Sequence, residues 1–300
     1  MQHRLRVSVF CILAAACAGG WAVAARGTGK SPPVRVVLQP GADLPDLAEA
    51  VPNQLKVLRL REAGQTFYAL AFQTVAENLA AEGNAELYVV GHRSDTSMPT
   101  MAADQYINVR GAAGAGIVSQ QVIPNVGQLI FQRRLAGHDH WHFVDFETYT
   151  LYRAPRYRVF SRDSKVGFCI TSEVPVHGIR GQRLTRTAAA AQPGGLISYT
   201  DDTRGCGVHE PDLTRVIESL NPRTGDSYGP ALGGQNVDIT NAPNGEYVLV
   251  IRVNPDDRLI ESDYDNDFAS VRISIDRSKV GARPSVRVIR RCPGVRICNA

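Results

Sequence analysis

Between positions 56 and 275 apolar side chains recur at every second residue in short runs, and turn formers cut these runs at short intervals. A two-residue period is what a strand with one buried face requires, because successive side chains point to opposite faces. The clearest run puts Phe146, Thr148, Thr150 and Tyr152 on one face and Glu147, Tyr149 and Leu151 on the other. Pro243-Asn244-Gly245 and Asn254-Pro255-Asp256-Asp257 are turn signals between the last runs. Strands are expected at 56–61, 66–73, 87–90, 129–134, 143–152, 165–171, 236–240, 247–253 and 269–275, with a further β-branched run at 34–38. Helical periodicity is scarce, and 47–51 and 211–220 read as short helices. Residues 172–227, rich in Gly, Arg, Thr and Ala, read as loop or insertion. The expected fold is all-β: a β-sandwich-like single domain over 43–278, with long loops and few short helices.

A chain of 300 residues with 44% hydrophobic and 21% charged side chains can bury a core, which excludes a disordered chain and a multi-span membrane protein. Its net charge of +4 is too weak to indicate nucleic acid as a partner. The bias is local: residues 279–300 hold six basic side chains and no acid, a C-terminal tail suited either to an anionic envelope surface or to solvation. At the other end His3, Arg4 and Arg6 precede the apolar run 7–18, and Ala22-Val23-Ala24 offers a cleavage site. Residues 1–24 therefore read as a signal peptide, followed by a linker over 25–42, and the mature protein as secreted or cell-envelope associated, periplasmic or extracellular. An uncleaved anchor and lipidation at Cys17 are the competing readings.

Export removes Cys11 and Cys17 and leaves Cys169, Cys206, Cys292 and Cys298. An even number in an oxidising compartment suggests disulfides, and four cysteines allow three pairings. Cys292–Cys298 would close a short loop around Pro293-Gly294, which leaves Cys169–Cys206. No Cys-x-x-Cys spacing marks a cysteine zinc site.

The densest chemistry is Gly137-His138-Asp139-His140-Trp141-His142, three of the seven histidines within five residues. Imidazole suits copper, zinc and iron. On a strand, side chains two apart point the same way at roughly 6.5–7 Å, which suits two ligands on one ion; a third needs the chain to curl. Otherwise these are half-exposed strand histidines. Glu261-Ser262-Asp263-Tyr264-Asp265-Asn266-Asp267 is a run of oxygen ligands suited to calcium, or an acidic turn without metal. Lysine is scarce, at positions 30, 56, 165 and 279 only, so Lys165 beside Phe168-Cys169 stands out.

The histidine segment, with Phe143, Phe146 and Tyr149 following, resembles the copper-binding segment of the lysyl oxidase family, secreted copper amine oxidases that also occur in bacteria. Lys165-Val166-Gly167-Phe168-Cys169 is similar to the family's Lys-x-x-Phe-Cys segment. Ser227-Tyr228, with Gln235-Asn236-Val237-Asp238-Ile239-Thr240 seven residues on, resembles its Tyr and Gln-x-x-Asp-Ile-Thr segments. Glu246-Tyr247, Val253-Asn254-Pro255, the acidic run 261–267 and, near the start, Leu44-Pro45-Asp46-Leu47 extend the resemblance over roughly residues 43–275.

The resemblance implies a catalytic domain in which His138, His140 and His142 bind copper, and Lys165 and Tyr228 are the precursors of lysine tyrosylquinone. The implied activity is oxidative deamination of primary amines, peptidyl or small, to aldehydes with release of hydrogen peroxide and ammonia. It also implies calcium held by Asp46, the Leu47 carbonyl, Glu261, Asp263, Asn266 and Asp267. Asp267 stands where the family usually has a second Asn, and Ser164 where animal members carry His; the stretch from Lys165 to Tyr228 is longer than theirs. Of the animal-type cysteine pairs the resemblance retains Cys169–Cys206. It names no proton-abstracting base, and Asp145 and Glu147 read as strand-surface acids.

Two other readings compete. A cupin-type metal dioxygenase or isomerase would use His140, His142 and Glu147, but Arg134 and Ala154 replace the glycines its motif needs, and Lys165 and Tyr228 are left unused. A non-enzymatic, calcium-stabilised envelope sandwich would need only the acidic run.

Overall fold

Strands dominate the computed structural model, which describes residues 36–62, 64–81, 83, 85–112, 116–133, 139–163, 165, 167–176, 195–277 and 283–299. The first three are β1 (Leu47–Glu49), β2 (Asn53–Glu62) and β3 (Gln65–Asn78). A meander follows: β4 (Leu87–His92), β5 (Thr100–Arg110), β6 (Ile117–Gln132) and β7 (His140–Val144). Then come β8 (Glu147–Arg153), β9 (Arg158–Arg162), β10 (Gly167–Phe168) and β11 (Val174–Pro175). The last six are β12 (Arg215–Leu220), β13 (Thr224–Tyr228), β14 (Asn236–Asp238), β15 (Gly245–Val253), β16 (Phe268–Asp276) and β17 (Ser285–Pro293). Short 3-10 turns lie at Tyr199–Asp201 and Arg204–Cys206.

The fold is all-β, with antiparallel pairing throughout these strands. One sheet gathers β1, β2, β13 and β14 around the long β3, with β11 beyond β13; a second runs β10-β7-β6-β5-β4-β12; a third runs β17-β16-β15-β8-β9. Their inner faces meet in one apolar core, to which Phe72, Leu87, Leu129, Phe143, Tyr149, Leu151, Leu249 and Ile273 all contribute. The face assignment in β8 holds, with Glu147, Tyr149 and Leu151 inward and Thr148, Thr150 and Tyr152 half-exposed. Phe146 is buried too, because it lies in the bend before β8.

Several local expectations are corrected. Both expected helices are strands: Leu47–Glu49 pairs with β3, and Arg215–Leu220 pairs with β4 along its whole length. A short apolar run fits either period, and here an open sheet edge decides the outcome. The single strand expected at 143–152 is two, broken at Asp145, whose positive φ of 58° turns the chain. The strand expected at 165–171 is only Gly167–Phe168, and the described part of 34–38 is not in a strand. β5 went unseen because its inward Gln105 breaks the apolar period; its amide accepts from Ile260 N at 2.7 Å and donates to Ile260 O at 2.8 Å. Within the expected loop 172–227 lie β11, β12 and β13, and 177–194 is outside the described residues.

The basic C-terminal segment contributes an edge strand: β17 pairs with β16 from Asp276↔Ser285 to Ala269↔Pro293. Beyond it the Cys292–Cys298 bridge packs on Val248 and Val250, covering the outer face of the third sheet.

Candidate active site

The sheet geometry brings Lys165 to Tyr228. β10 hydrogen-bonds to β7, with Gly167 opposite Val144 and Phe168 opposite Phe143. A Cβ on Gly167 would lie 2.8 Å from the His142 Cβ, so only glycine lets these strands approach. On the other side β13 pairs with β3 and sets Tyr228 opposite Thr74. Phe168 stands edge-on to Tyr228, with ring centroids 5.0 Å apart. The Lys165 amine then lies 3.6 Å from the Tyr228 ring centroid and 4.0 Å from that of Phe168. Gly234, at φ +77°, backs the lysine stem; a Cβ there would sit 3.3 Å from the Lys165 Cβ.

Polar groups surround this pair inside the core. Lys165 Nζ donates to Gln235 Oε1 at 3.1 Å, and Gln235 Nε2 donates to Thr74 Oγ1 at 3.0 Å. The Tyr149 hydroxyl reaches two acceptors, Glu147 Oε2 at 2.9 Å and Gln235 Oε1 at 3.0 Å. The Tyr228 hydroxyl likewise lies 2.7 Å from both Asp226 Oδ2 and the Cys169 carbonyl. One phenolic proton cannot serve both acceptors. Burial holds the Asp226 carboxyl well above the usual carboxylate range. A protonated Asp226, the form its burial favours, would satisfy both contacts by donating to the Tyr228 oxygen while Tyr228 donates to the Cys169 carbonyl.

Burial also pushes Lys165 down to about 8, against the attraction of Glu147, Asp226 and Asp163. It pushes Glu147 up to about 7, against the attraction of Lys165 and the hydrogen bond from Tyr149. Glu147 is therefore not the surface acid expected from the sequence; it is wholly buried. Burial thus moves both Lys165 and Glu147 toward their neutral forms.

His140 and His142 share one face of β7, their ring centroids 4.3 Å apart, while Trp141 points to the other side and donates to the Glu210 carbonyl. His138 lies outside the described residues. Among the described residues no three His, Cys, Asp or Glu side chains converge on one metal position. The His140, His142 and Glu147 set of a cupin is thus not assembled. Two adjacent imidazoles on one strand face remain a donor set that fits copper.

A second cluster joins the two ends of the domain. Leu47 N donates to Glu261 Oε2 at 2.9 Å, and Asn266 Nδ2 donates to Asp46 Oδ1 at 2.7 Å. The Asn266 Oδ1 and both carboxylate oxygens of Asp267 are buried without a hydrogen-bond partner. Burial and the neighbouring acids push Glu261 up to about 9; burial foremost pushes Asp267 up to about 8. Asp263 is exposed at the rim, close enough to raise Asp267 by its charge. Arg252 lies 3.8 Å from Asp267 Oδ2 and offsets part of this charge, and among the described residues these acids are not gathered on one metal position. The orphaned oxygens are nonetheless of the hard type that calcium takes.

The sequence carries a signal for Asp226, two residues before Tyr228 on the same strand face, whereas Tyr149 enters the site only through its hydroxyl contacts with Glu147 and Gln235. Both disulfides are formed, Cys169–Cys206 and Cys292–Cys298. No helix among the described residues is long and apolar enough to cross a membrane.

Fold and site together define a disulfide-bonded all-β protein with a lysine amine buried against a tyrosine ring. A family model described as Lysyl oxidase matches residues 217–283, and the resemblance to that family stands on it. The matched segment takes in Tyr228, Gln235 and the acidic turn; the histidines and Lys165 lie outside it. At family level it points to an amine-oxidising copper oxidoreductase. A comparison with curated proteins gave no match.

Proposed function

We propose that this chain is a secreted copper-dependent amine oxidase that converts primary amines, peptidyl lysine or small molecules, to aldehydes with release of hydrogen peroxide and ammonia. The observation that carries the reading is the Lys165 amine 3.6 Å from the Tyr228 ring centroid, inside a closed core. His138, His140 and His142 would hold copper, which with dioxygen supplies the oxidation of the Tyr228 phenol. Lysine tyrosylquinone, once built from Tyr228 and Lys165, supplies an electrophilic carbonyl and an electron sink.

The chain's own residues do the rest. Lys165 can attack only as a neutral amine, and its burial favours that form. Glu147, the carboxylate that acts most strongly on Lys165, takes the proton. Asp226 and the Cys169 carbonyl fix the Tyr228 oxygen, and the Phe168 ring excludes water from the other side. The signal peptide at 1–24, which lies outside the described residues, belongs to the same reading. Exposed Arg287, Arg290 and Arg291 on β17 support envelope contact through the basic tail.

The test is peptide mass mapping of the full chain produced with copper. A peptide joining Lys165 to Tyr228, labelled by phenylhydrazine, is the expected result; recovery of both residues unmodified from copper-loaded protein overturns the reading.

The Glu147 assignment predicts a pH dependence in copper-free protein. Its folded pKa lies above the unfolded value, so Glu147 favours folding below about pH 4.5, and that contribution is lost as pH rises toward about 7. Glu147→Gln is expected to flatten the stability profile across this window, by on the order of 3 kcal/mol relative to wild type. Urea melts at pH 4.5 and pH 7.5 measure it, and parallel profiles would refute it.

We further propose that Asp46, the Leu47 carbonyl, Glu261, Asp263, Asn266 and Asp267 hold calcium. Calcium at 100 times its dissociation constant should then stabilise the fold by about 2.7 kcal/mol. Thermal melts with calcium and with chelator read this, and Asp263→Ala, which removes an exposed carboxylate ligand, should reduce the difference. Equal melting temperatures in the wild type would exclude the site.

A further inference from the structure

A lysine side chain has four rotatable bonds, and attraction between an amine and a ring face fixes height above the ring better than position across it. Something else must hold the Lys165 nitrogen in place. A directional contact is the 3.1 Å hydrogen bond that Lys165 Nζ donates to Gln235 Oε1. Gln235 is fully buried, and it follows Gly234, whose positive φ lets the backbone close against the Lys165 stem. Its own amide is locked at both ends. Nε2 donates to Thr74 Oγ1, and Oε1 also accepts from the Tyr149 hydroxyl. Thr74 in turn lies opposite Tyr228 in the β3–β13 pair, so holder and target ring share one sheet.

We infer that Gln235 is a positioning residue that holds the Lys165 amine over the Tyr228 ring, with Thr74 and Tyr149 fixing the orientation of its amide. The inference rests on the reading of Lys165 and Tyr228 as the crosslinking pair. The residue type matters as much as the place. An amide oxygen accepts a hydrogen bond from amine and ammonium alike, whereas a carboxylate there would favour the ammonium, which cannot attack a ring. Glutamine therefore holds the nitrogen without holding its proton. The Tyr149 hydroxyl couples this holder to Glu147: its one proton goes to ionised Glu147 or, when Glu147 is neutral, to Gln235.

Four lysines make the test practical. In copper-free full-length protein with isotope-labelled lysine, the Lys165 ε-methylene should be shifted upfield by the Tyr228 and Phe168 rings. Gln235→Leu is expected to return that signal toward the position of exposed lysines. Gln235→Glu should keep it upfield. On copper loading, Gln235→Leu should slow the Lys165–Tyr228 crosslink roughly a hundredfold, the cost of misplacing a reacting group by about an ångström. Gln235→Glu should retain crosslinking with its pH profile moved upward, a response that a merely structural glutamine would not give. Should Gln235→Leu fail to fold, Thr74→Val, which frees the amide to rotate, carries the same readout in weaker form. An unshifted spectrum and a wild-type crosslinking rate in Gln235→Leu overturn the inference. A wild-type chain that never crosslinks refutes instead the reading of the pair, since the copper-free spectra report the holder independently.

Discussion

Lys165→Met is expected to abolish both the crosslink and amine oxidation while leaving the chain folded. Methionine matches the length of the lysine stem, so the slot between Gly234 and the Phe168 and Tyr228 rings stays filled. A volume-conserving swap of this kind usually costs less than about 1.5 kcal/mol. The chemistry has no such tolerance. Lys56 on β2 is exposed to solvent, and no other amine is placed against the Tyr228 ring among the described residues. Activity should fall to the background of copper-free protein, and phenylhydrazine should label nothing. Tyr228→Phe should behave alike, since phenylalanine lacks the hydroxyl from which oxidation starts and which Asp226 and the Cys169 carbonyl hold. Intact mass and labelling read both variants. Full labelling of either one would leave Lys165 and Tyr228 without their proposed roles.

The second large effect is on stability. The Cys169–Cys206 bridge closes a loop with a sequence separation of 37 residues. In the chain-entropy picture its removal costs about 4 kcal/mol, against about 2 kcal/mol for the Cys292–Cys298 loop. The separation for the latter is 6 residues. Cys206→Ser, paired with Cys169→Ser to avoid a free thiol, should therefore lower the denaturation midpoint far more than the same double change at the tail. It should also slow cofactor formation, because the Cys169 carbonyl is a hydrogen-bond partner of Tyr228 and loses its tether. Urea unfolding of both double variants measures the difference; equal losses would show that loop length does not set the cost here.

Strands with an uninterrupted apolar face were legible in the sequence, and those with polar residues inside were not. β16 alternates through Val271, Ile273 and Ile275, β15 is a continuous apolar run over 247–251, and both fall within two residues of the expected bounds. β5 carries buried Gln105, whose partner Ile260 is 155 positions away, so no local window could show that its polarity is satisfied. The same blindness misplaced Glu147. On a strand a carboxylate reads as outward, and only the aromatic wall around Tyr149 and Phe168 explains its burial.

Composition and alternation determined that this chain is an all-β protein, and the order of a few rare residues determined the family it resembles. Residue identity carries that information because side-chain period and chemical type are properties of the chain alone. Tertiary structure decided what each group experiences. It put Lys165 against the Tyr228 and Phe168 rings, gave Gln235 its hold, and buried the Glu147 and Asp226 carboxyls. These are matters of distance and desolvation between residues far apart in sequence, and both come into being only when the sheets close around them.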